Sequence, residues 1–203
     1  MYKICYISMV TENLNFIKHL TNLEVLHCYH NKMTSLDGIE NLTNLEVLHV
    51  CDNKLTSLNG IQNLKKLTEL HCYGNQLTSL NSIENLTNLI EINCSSNQLT
   101  SLNSIENLTN LIILVCSYNQ ITSLDHIENL IDLQELYCFK NELEFISKNL
   151  IQNLSNLTIF ICSENKLTSI PLEILDLKRL EKFAYHYNPL EYVDPLIAKK
   201  FSY

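Results

Sequence analysis

Glycine and proline, the residues that usually mark turns, are scarce in this sequence. Only three of each occur among 203 residues, and tryptophan is absent. The turns must therefore be made by other residues, and the many asparagines placed among Leu and Ile are the candidates. With so few glycines the chain also has no phosphate-cradling loop, and it has no nucleophile elbow and no H-E-x-x-H segment. We therefore expect a protein that is not an enzyme and has no catalytic residues and no cofactor.

Positive charge is scarce as well. Lys and Arg number 14 against 22 Asp and Glu, which gives a net charge of −8. Such a chain repels a phosphate backbone on average, so nucleic acid is not an expected partner. No run reaches the ~18 apolar residues of a transmembrane helix, and the N-terminal residues lack the long apolar core of a secretory signal. We expect a cytoplasmic protein with no membrane contact, whose eight cysteines stay reduced.

What the sequence does have is an internal repeat. Six leucines follow one another at intervals of 22 residues, namely Leu23, Leu45, Leu67, Leu89, Leu111 and Leu133. The unit reads L-x-x-L-x-C-x-x-N-x-L-T-S-L-x-x-I-x-N-L-T-N. The next intervals are 24 residues to Leu157 and 23 to Leu180. We predict one domain over residues 1–203, with a worn unit at 1–22, repeats at 23–193 and a short C-terminal cap at 194–203.

This pattern resembles the leucine-rich-repeat family over essentially the whole chain. Its first five units resemble the 22-residue subclass of phosphatase regulatory subunits and internalins, apart from Cys at the sixth repeat position, where Leu is commoner. The resemblance implies an α/β fold, a right-handed leucine-rich-repeat solenoid (horseshoe) with a parallel β-sheet on its concave face. It also implies a non-catalytic protein–protein interaction module that binds a protein partner on that face.

Period-two alternation in x-L-x-C-x predicts a short strand in each unit, with Leu and Cys inward and their neighbours outward. A single unit buries too little apolar surface to offset the entropy lost when its backbone becomes ordered, so the units must stack. In the worn unit, Ile4, Tyr6, Leu14, Ile17 and Leu20 are expected in phase, with Met9 at the Asn position.

The cysteines of the sixth position are interpreted as a ladder of small buried hydrophobes and not as disulfides or zinc ligands; they are Cys28, Cys72, Cys94, Cys116, Cys138 and Cys162. Cys5 and Cys51 fall outside this ladder, and we expect both to be exposed.

Three histidines occupy one outward position in successive units. His27, His49 and His71, with Tyr29 and Tyr73 beside them, are predicted to form a row on the concave face. A shared metal ion and a pH response are alternatives, but a third ligand would have to reach back over ~10 Å of strand spacing. We interpret the row as solvated or in contact with a partner, and we predict no metal site.

Apolar side chains occupy outward positions where polar residues are usual. The predicted partner-binding patch contains Ile113, Val115, Tyr118, Tyr137, Phe139, Ile159 and Ile161. Exposed apolar patches with aromatic residues usually mark interaction sites. Ordinary strand propensity, or cover by the C-terminal segment, is the alternative.

Three narrower functions remain open at this stage. The chain could be a regulatory subunit, a host-directed effector of an intracellular parasite or virus, or a self-assembling scaffold. The Asn-, Ile- and Lys-rich, alanine-poor composition resembles that of an AT-rich genome, and the same patch could also form a homo-oligomer.

Overall fold

The computed structural model describes residues 3–7 and 11–201, and within them the repeats stack into one solenoid. Nine parallel strands form a single sheet in sequence order, each paired with the next. This confirms the predicted leucine-rich-repeat solenoid with its parallel sheet on the concave face. The strands are β1 (Ile4–Tyr6), β2 (Val25–His27), β3 (Val47–His49), β4 (Glu69–His71), β5 (Glu91–Asn93), β6 (Ile113–Val115), β7 (Glu135–Tyr137), β8 (Ile159–Ile161) and β9 (Lys182–Ala184).

The opposite side of each unit is formed by short helical turns or irregular segments. The 3-10 helices span Asn15–Ile17, Asn81–Ile83, Asn103–Ile105, Asp125–Ile127 and Leu172–Asp176, and the α-helices are α1 (Lys148–Asn153) and α2 (Pro195–Lys200). The 24-residue unit contains α1, whose N-cap Ser147 accepts a hydrogen bond from the Leu150 N–H at 3.1 Å. This unit is two residues longer than the 22-residue repeat, and it has an α-helix where other units have a 3-10 helix or an irregular segment.

The inward positions of the strands form one continuous core. Cys94 and Cys116 have no exposed surface, as do the leucines beside them, while Val115 and Tyr137 face outward. The predicted phase of the repeat is therefore correct from β2 onwards. Burial raises the pKa of the Cys94 thiol to about 12, so the ladder thiols are protonated and behave as small apolar side chains.

From Asn31 to Asn188, an asparagine in each unit satisfies the backbone at the turn after the strand. The Asn97 side-chain amide donates to the Cys94 and Ser95 carbonyls of its own unit and to the Cys72 carbonyl of the unit before, each at 3.1 Å. Its oxygen accepts the N–H of Leu77 at 2.9 Å. The same arrangement recurs through the array, so the scarce glycines and prolines are replaced by an Asn ladder that joins neighbouring units.

The residue before each ladder asparagine has a left-handed backbone. Gly74 has this conformation at φ 67°, but elsewhere the position holds a side chain, as in Ser96 at φ 53°. Left-handed backbone costs non-glycine residues about 1–2 kcal/mol. The Asn contacts therefore hold a strained turn in most units.

The first unit corrects one prediction. β1 pairs Cys5 with Leu26 and Tyr6 with His27, so Cys5 and Ile7 point inward while Ile4 and Tyr6 point outward. The expectation that Ile4 and Tyr6 share the core phase was wrong, because this strand lies 21 residues before the next and not 22. Leu14 and Ile17 are buried as predicted, and Met9 lies outside the described residues.

Both cysteines that we expected to be exposed lie partly or wholly inside. Cys5 is half-buried against the core, and Cys51 is 2% exposed, with its thiol donating to the His71 carbonyl at 3.3 Å. The physical reason at Cys51 is that β3 ends at His49 and the chain then turns through the left-handed Asp52. Alternation therefore no longer applies at the seventh repeat position, and Ser117 is likewise buried there.

Candidate functional site on the concave face

The register of the sheet sets residues from equivalent repeat positions side by side. His27 pairs with His49 and His49 with His71 across β2 to β4. Further along, Val115 pairs with Tyr137 and Tyr137 with Ile161. The sheet thus carries two separate groups of outward side chains, a histidine row (His27, His49, His71) and an apolar patch (Ile113, Val115, Tyr118, Tyr137, Phe139, Ile159, Ile161).

The apolar patch is a half-buried surface on β6 to β8 and the turns that follow them. Its strand residues and Phe139 are partly accessible, and Tyr118 is 47% exposed. The Tyr118 and Phe139 rings meet edge to face with centroids 5.1 Å apart. The seven residues predicted from the sequence are therefore contiguous and accessible from solvent.

Charged groups lie within and beside the apolar patch, since Glu135 stands between Ile113 and Ile159 across β6 to β8. The Tyr137 hydroxyl donates to a Glu135 carboxylate oxygen at 2.8 Å. Burial, and to a smaller extent the neighbouring Glu135 carboxylate, raise the pKa of Tyr137 to about 12. Lys140 lies 4.8 Å over the Tyr118 ring and 3.4 Å from the Glu164 carboxylate. Aromatic residues such as Tyr118 and Tyr137 are enriched at protein interfaces.

The described C-terminal residues pack away from this patch. The α2 helix contacts the 3-10 helix Leu172–Asp176, and Phe201 packs against Phe183 with ring centroids 5.3 Å apart. Both Ile197 and Phe201 are buried there. The alternative in which the C-terminal segment covers the apolar patch is thus not seen for the chain up to Phe201.

The histidine row is packed ring on ring. Tyr6 stacks on His27 with centroids 4.6 Å apart, and His49 stacks on His71 at 4.3 Å with planes 5° apart. His27 and His49 approach each other Nδ1 to Nδ1 at 2.9 Å. Burial, and then the neighbouring His49, lower the pKa of His27. The row is therefore a connected chain of imidazoles and not three independent side chains.

Sequence reasoning missed the two carboxylates that join this row. Glu69 Oε1 lies 2.7 Å from His49 Nε2 and 3.5 Å from His71 Nε2, and Glu91 Oε1 lies 2.9 Å from His71 Nε2. Both glutamates start from the third repeat position and reach diagonally to the histidines at the fifth. The sequence does contain a sign of this contact, since Glu69 and His71 lie two residues apart on the same face of one predicted strand.

The two tyrosines predicted beside the row differ in environment. Tyr29 is 45% exposed and lies edge-on to His27, with ring centroids 6.3 Å apart, whereas Tyr73 is half-buried on the turn after β4, two units further along. A shallow open groove of about 790 Å³ lies elsewhere, along the residues that precede the strands, and includes Ile90 and Ile112. It is separate from both predicted groups.

Comparison with known families agrees with this architecture. The family model described as "Leucine Rich repeats (2 copies)" matches residues 21–65 and 65–107. The chain belongs to the leucine-rich-repeat family. Leucine-rich-repeat proteins are generally non-catalytic interaction modules. No curated protein matches this leucine-rich-repeat chain in a sequence search.

Solved structures similar to this leucine-rich-repeat protein include two Listeria monocytogenes internalins. The functional domain of InlJ, described as including a cysteine ladder, is 32% identical with a TM-score of 0.84, over 98% of this chain and 42% of that one. The internalin InlF from strain 4b F2365 is 25% identical with a TM-score of 0.84, over 93% of this chain and 56% of that one. The present chain thus spans about half the length of these structures.

A plant receptor is also similar. The peptide hormone receptor RGFR1, solved in complex with RGF2, is 28% identical with a TM-score of 0.74, over 86% of this leucine-rich-repeat chain and 30% of that one.

Among the described residues, no helix has the length and apolar character needed to cross a bilayer.

Proposed function

We propose that this leucine-rich-repeat protein is a non-catalytic interaction module that binds a protein partner through the apolar patch on its concave face. The observation that carries the proposal is the patch itself. Seven apolar or aromatic residues lie together on the concave face. Five are on the outward face of β6 to β8, where solvent-facing strands normally place polar side chains, and Tyr118 and Phe139 are on the turns that follow. Tyrosine and phenylalanine at the centre of such a surface are typical binding anchors.

The family supports a protein partner. Leucine-rich-repeat proteins act mainly as interaction modules, and the similar receptor RGFR1 was solved in complex with RGF2. The chemistry of the core supports a non-catalytic role, because the ladder thiols are buried and their raised pKa values keep them protonated. Protonated, inaccessible thiols do not act as nucleophiles.

The proposal includes a cytoplasmic location, supported by the free and mostly buried thiols of the described chain. Three narrower roles would use the same surface: a regulatory subunit, a host-directed effector and a self-assembling scaffold. The likeness to internalins supports the effector role as a fold-level analogy. The captured partner distinguishes them, since a phosphatase indicates regulation, a foreign host protein an effector and a second copy a scaffold.

The test is a comparison of two double variants. The partner is captured with the wild-type chain, and its affinity is then measured for Tyr137→Ala/Phe139→Ala and for Tyr192→Ala/Phe145→Ala. The first pair removes the patch anchors and should cost about 2–4 kcal/mol of binding free energy. The second pair removes the same two ring types from exposed positions outside the patch and should leave binding unchanged.

Circular dichroism checks that both variants keep the solenoid. Sedimentation of the partner-free wild-type protein tests self-association through the same surface. Equal affinity of the wild-type chain and the patch variant would remove the apolar patch as the binding site.

A further inference from the structure

Three potential metal-binding side chains converge on the concave face at some distance from the apolar patch. A ring nitrogen of His49, a ring nitrogen of His71 and a carboxylate oxygen of Glu69 all lie within 4.8 Å of one another. His49 comes from β3, whereas Glu69 and His71 come from the two outward positions of β4. A third histidine would lie too far away to complete the site. Glu69, at the third repeat position, supplies the third ligand instead.

The donor set suits zinc. Two imidazole nitrogens and one carboxylate oxygen, with a fourth position left for water, form a common tetrahedral arrangement for this ion. Soft thiolates are unavailable at the surface, because Cys51, the nearest in sequence, is buried with its pKa raised to about 12 by burial. Nitrogen and oxygen ligands therefore define the chemistry of the site.

Neighbouring side chains orient these donors. His27 Nδ1 lies 2.9 Å from His49 Nδ1, so a metal ion on His49 Nε2 would leave the Nδ1 proton directed at His27. Such outer partners fix the tautomer and ring orientation of metal-bound histidines. Glu91, with Oε1 at 2.9 Å from His71 Nε2, lies beside this ligand and outside the three-residue group.

The local charge favours a cation. The ion pairs that Glu69 and Glu91 form within the described chain are to His49 and His71. Two carboxylates beside two histidines form a cluster of ligands whose negative charge a divalent ion would neutralise. The donor side chains are 19%, 33% and 21% exposed for His49, Glu69 and His71, so they are accessible to an ion but partly shielded from water.

One adjustment is required. The His49 and His71 rings are parallel within 5°, and their lone pairs do not yet point at a common centre. An ion at about 2.0–2.1 Å from each nitrogen would need the two rings to tilt towards Glu69. Rotation about the side-chain torsions of two outward-facing residues can supply this tilt without moving the strands.

We infer that His49, Glu69 and His71 bind one zinc ion on the concave face, with His27 as a positioning residue. This site lies on β3 and β4 and is independent of the protein-binding patch proposed on β6 to β8. A bound ion would give the N-terminal half of the concave face an open coordination position, to which an imidazole or carboxylate of a partner could bind.

The test is zinc titration of the full chain by calorimetry, after removal of metal by a chelator and with the thiols kept reduced. We expect one ion per chain. Glu69→Gln retains the side-chain shape and removes the charge, and His71→Ala removes a donor. Each should weaken zinc binding by more than the about 10- to 100-fold that is typical for loss of an outer partner.

Two further variants separate positioning from general effects. His27→Asn should weaken binding by about 10- to 100-fold, as expected for a residue that orients a ligand. His126→Ala is the matched control, because His126 lies 4.0 Å from Glu106 in an exposed pair outside the three-ligand group. It should leave zinc binding unchanged.

Cobalt substitution provides a readout that does not depend on any variant. Bound Co²⁺ should show the comparatively intense visible d–d bands of a four-coordinate nitrogen and oxygen site, without a thiolate charge-transfer band. A thiolate band would assign the metal to cysteines and overturn the inference. Absence of zinc binding to the wild-type chain, or equal binding by His71→Ala and His126→Ala, would overturn it as well.

Discussion

The Nδ1 atoms of His27 and His49 lie 2.9 Å apart across two neighbouring strands. At that distance one nitrogen must donate and the other must accept, so the pair holds one shared proton and not two. A second proton in this contact would set two N–H groups against each other and place a positive ring beside its neighbour. This relationship, together with partial burial, is why the pKa of His27 is lowered.

The lowered pKa of His27 predicts that acid destabilises the fold. Since the unfolded chain binds this proton near the ordinary value of 6.5 and the folded chain binds it less readily, stability is full above that value. It is lost as the pH falls through 6.5 towards the folded pKa. In His27→Asn, this part of the slope should disappear when urea unfolding is measured with chelator between about pH 7.5 and 5.5.

The same substitution at exposed His19 serves as the control and should retain the wild-type slope. An equally steep slope in His27→Asn would contradict the role of His27.

The Asn ladder predicts a large loss of stability at Asn97. Asn97→Ala removes the amide that joins two units and leaves the Leu77 N–H without its partner, while the Cys72 carbonyl keeps only its bond from Asn75. An unsatisfied buried group costs about 1–3 kcal/mol, and the hydrogen bonds that Asn97 donates are lost as well, so we expect a loss of about 3 kcal/mol in unfolding free energy. Urea titration followed by circular dichroism measures it.

Asn110→Ala is the matched control within the same array. Asn110 is exposed and donates a single hydrogen bond, to the Thr87 carbonyl at 2.8 Å. Its loss should cost about 0.5 kcal/mol. Equal losses at Asn97 and Asn110 would show that the ladder does not stabilise the turns.

The left-handed turn predicts opposite effects at two equivalent positions. Ser96→Gly relieves the strain at φ 53° and should stabilise the protein by about 0.5–1 kcal/mol after the greater freedom of glycine in the unfolded chain is subtracted. Gly74→Ser places a side chain at φ 67° against the Asp52 carboxylate and should destabilise by a similar amount. Thermal unfolding of both variants under the same conditions measures the two changes in unfolding temperature. Changes of the same sign would contradict this explanation.

The cysteine ladder predicts that the native protein reacts slowly with thiol reagents. Burial raises the pKa of both Cys94 and Cys51 to about 12, so neither presents a thiolate at neutral pH. Half-buried Cys5, at the edge strand, should be alkylated first, and guanidinium chloride should expose all eight thiols. Peptide mass spectrometry identifies each labelled site. Labelling of native Cys51 as fast as Cys5 would contradict its buried position.

Much of the fold could be predicted from the sequence because its period is fixed. A 22-residue spacing determines the register from β2 to β7, the recognisable 24- and 23-residue units extend it to β9, and strict alternation determines which side chains point inward. This is why Cys94 and Cys116 are inside and Val115 and Tyr137 outside, as predicted. The contiguity of the apolar patch follows from the same two rules.

The errors arose where those rules stop applying. The first strand lies 21 residues before the second, and a shift of one residue exchanges the two faces of a strand, as at Cys5 and Tyr6. Cys51 lies beyond the end of its three-residue strand, where a left-handed turn redirects the chain. Glu69 was missed because contacts between columns depend on how far a long side chain reaches, which repeat position alone does not specify.

Pairing of each strand only with its immediate neighbours has a consequence for the two surfaces of the concave face. A single strand, β5, separates the metal-binding residues of β4 from the apolar residues of β6. Gain of one 22-residue unit at this point would move the two surfaces apart by about 4.8 Å while leaving the internal geometry of each intact. Their separation can therefore change only in whole strand spacings, and a ligand that contacts both must match one of these discrete distances.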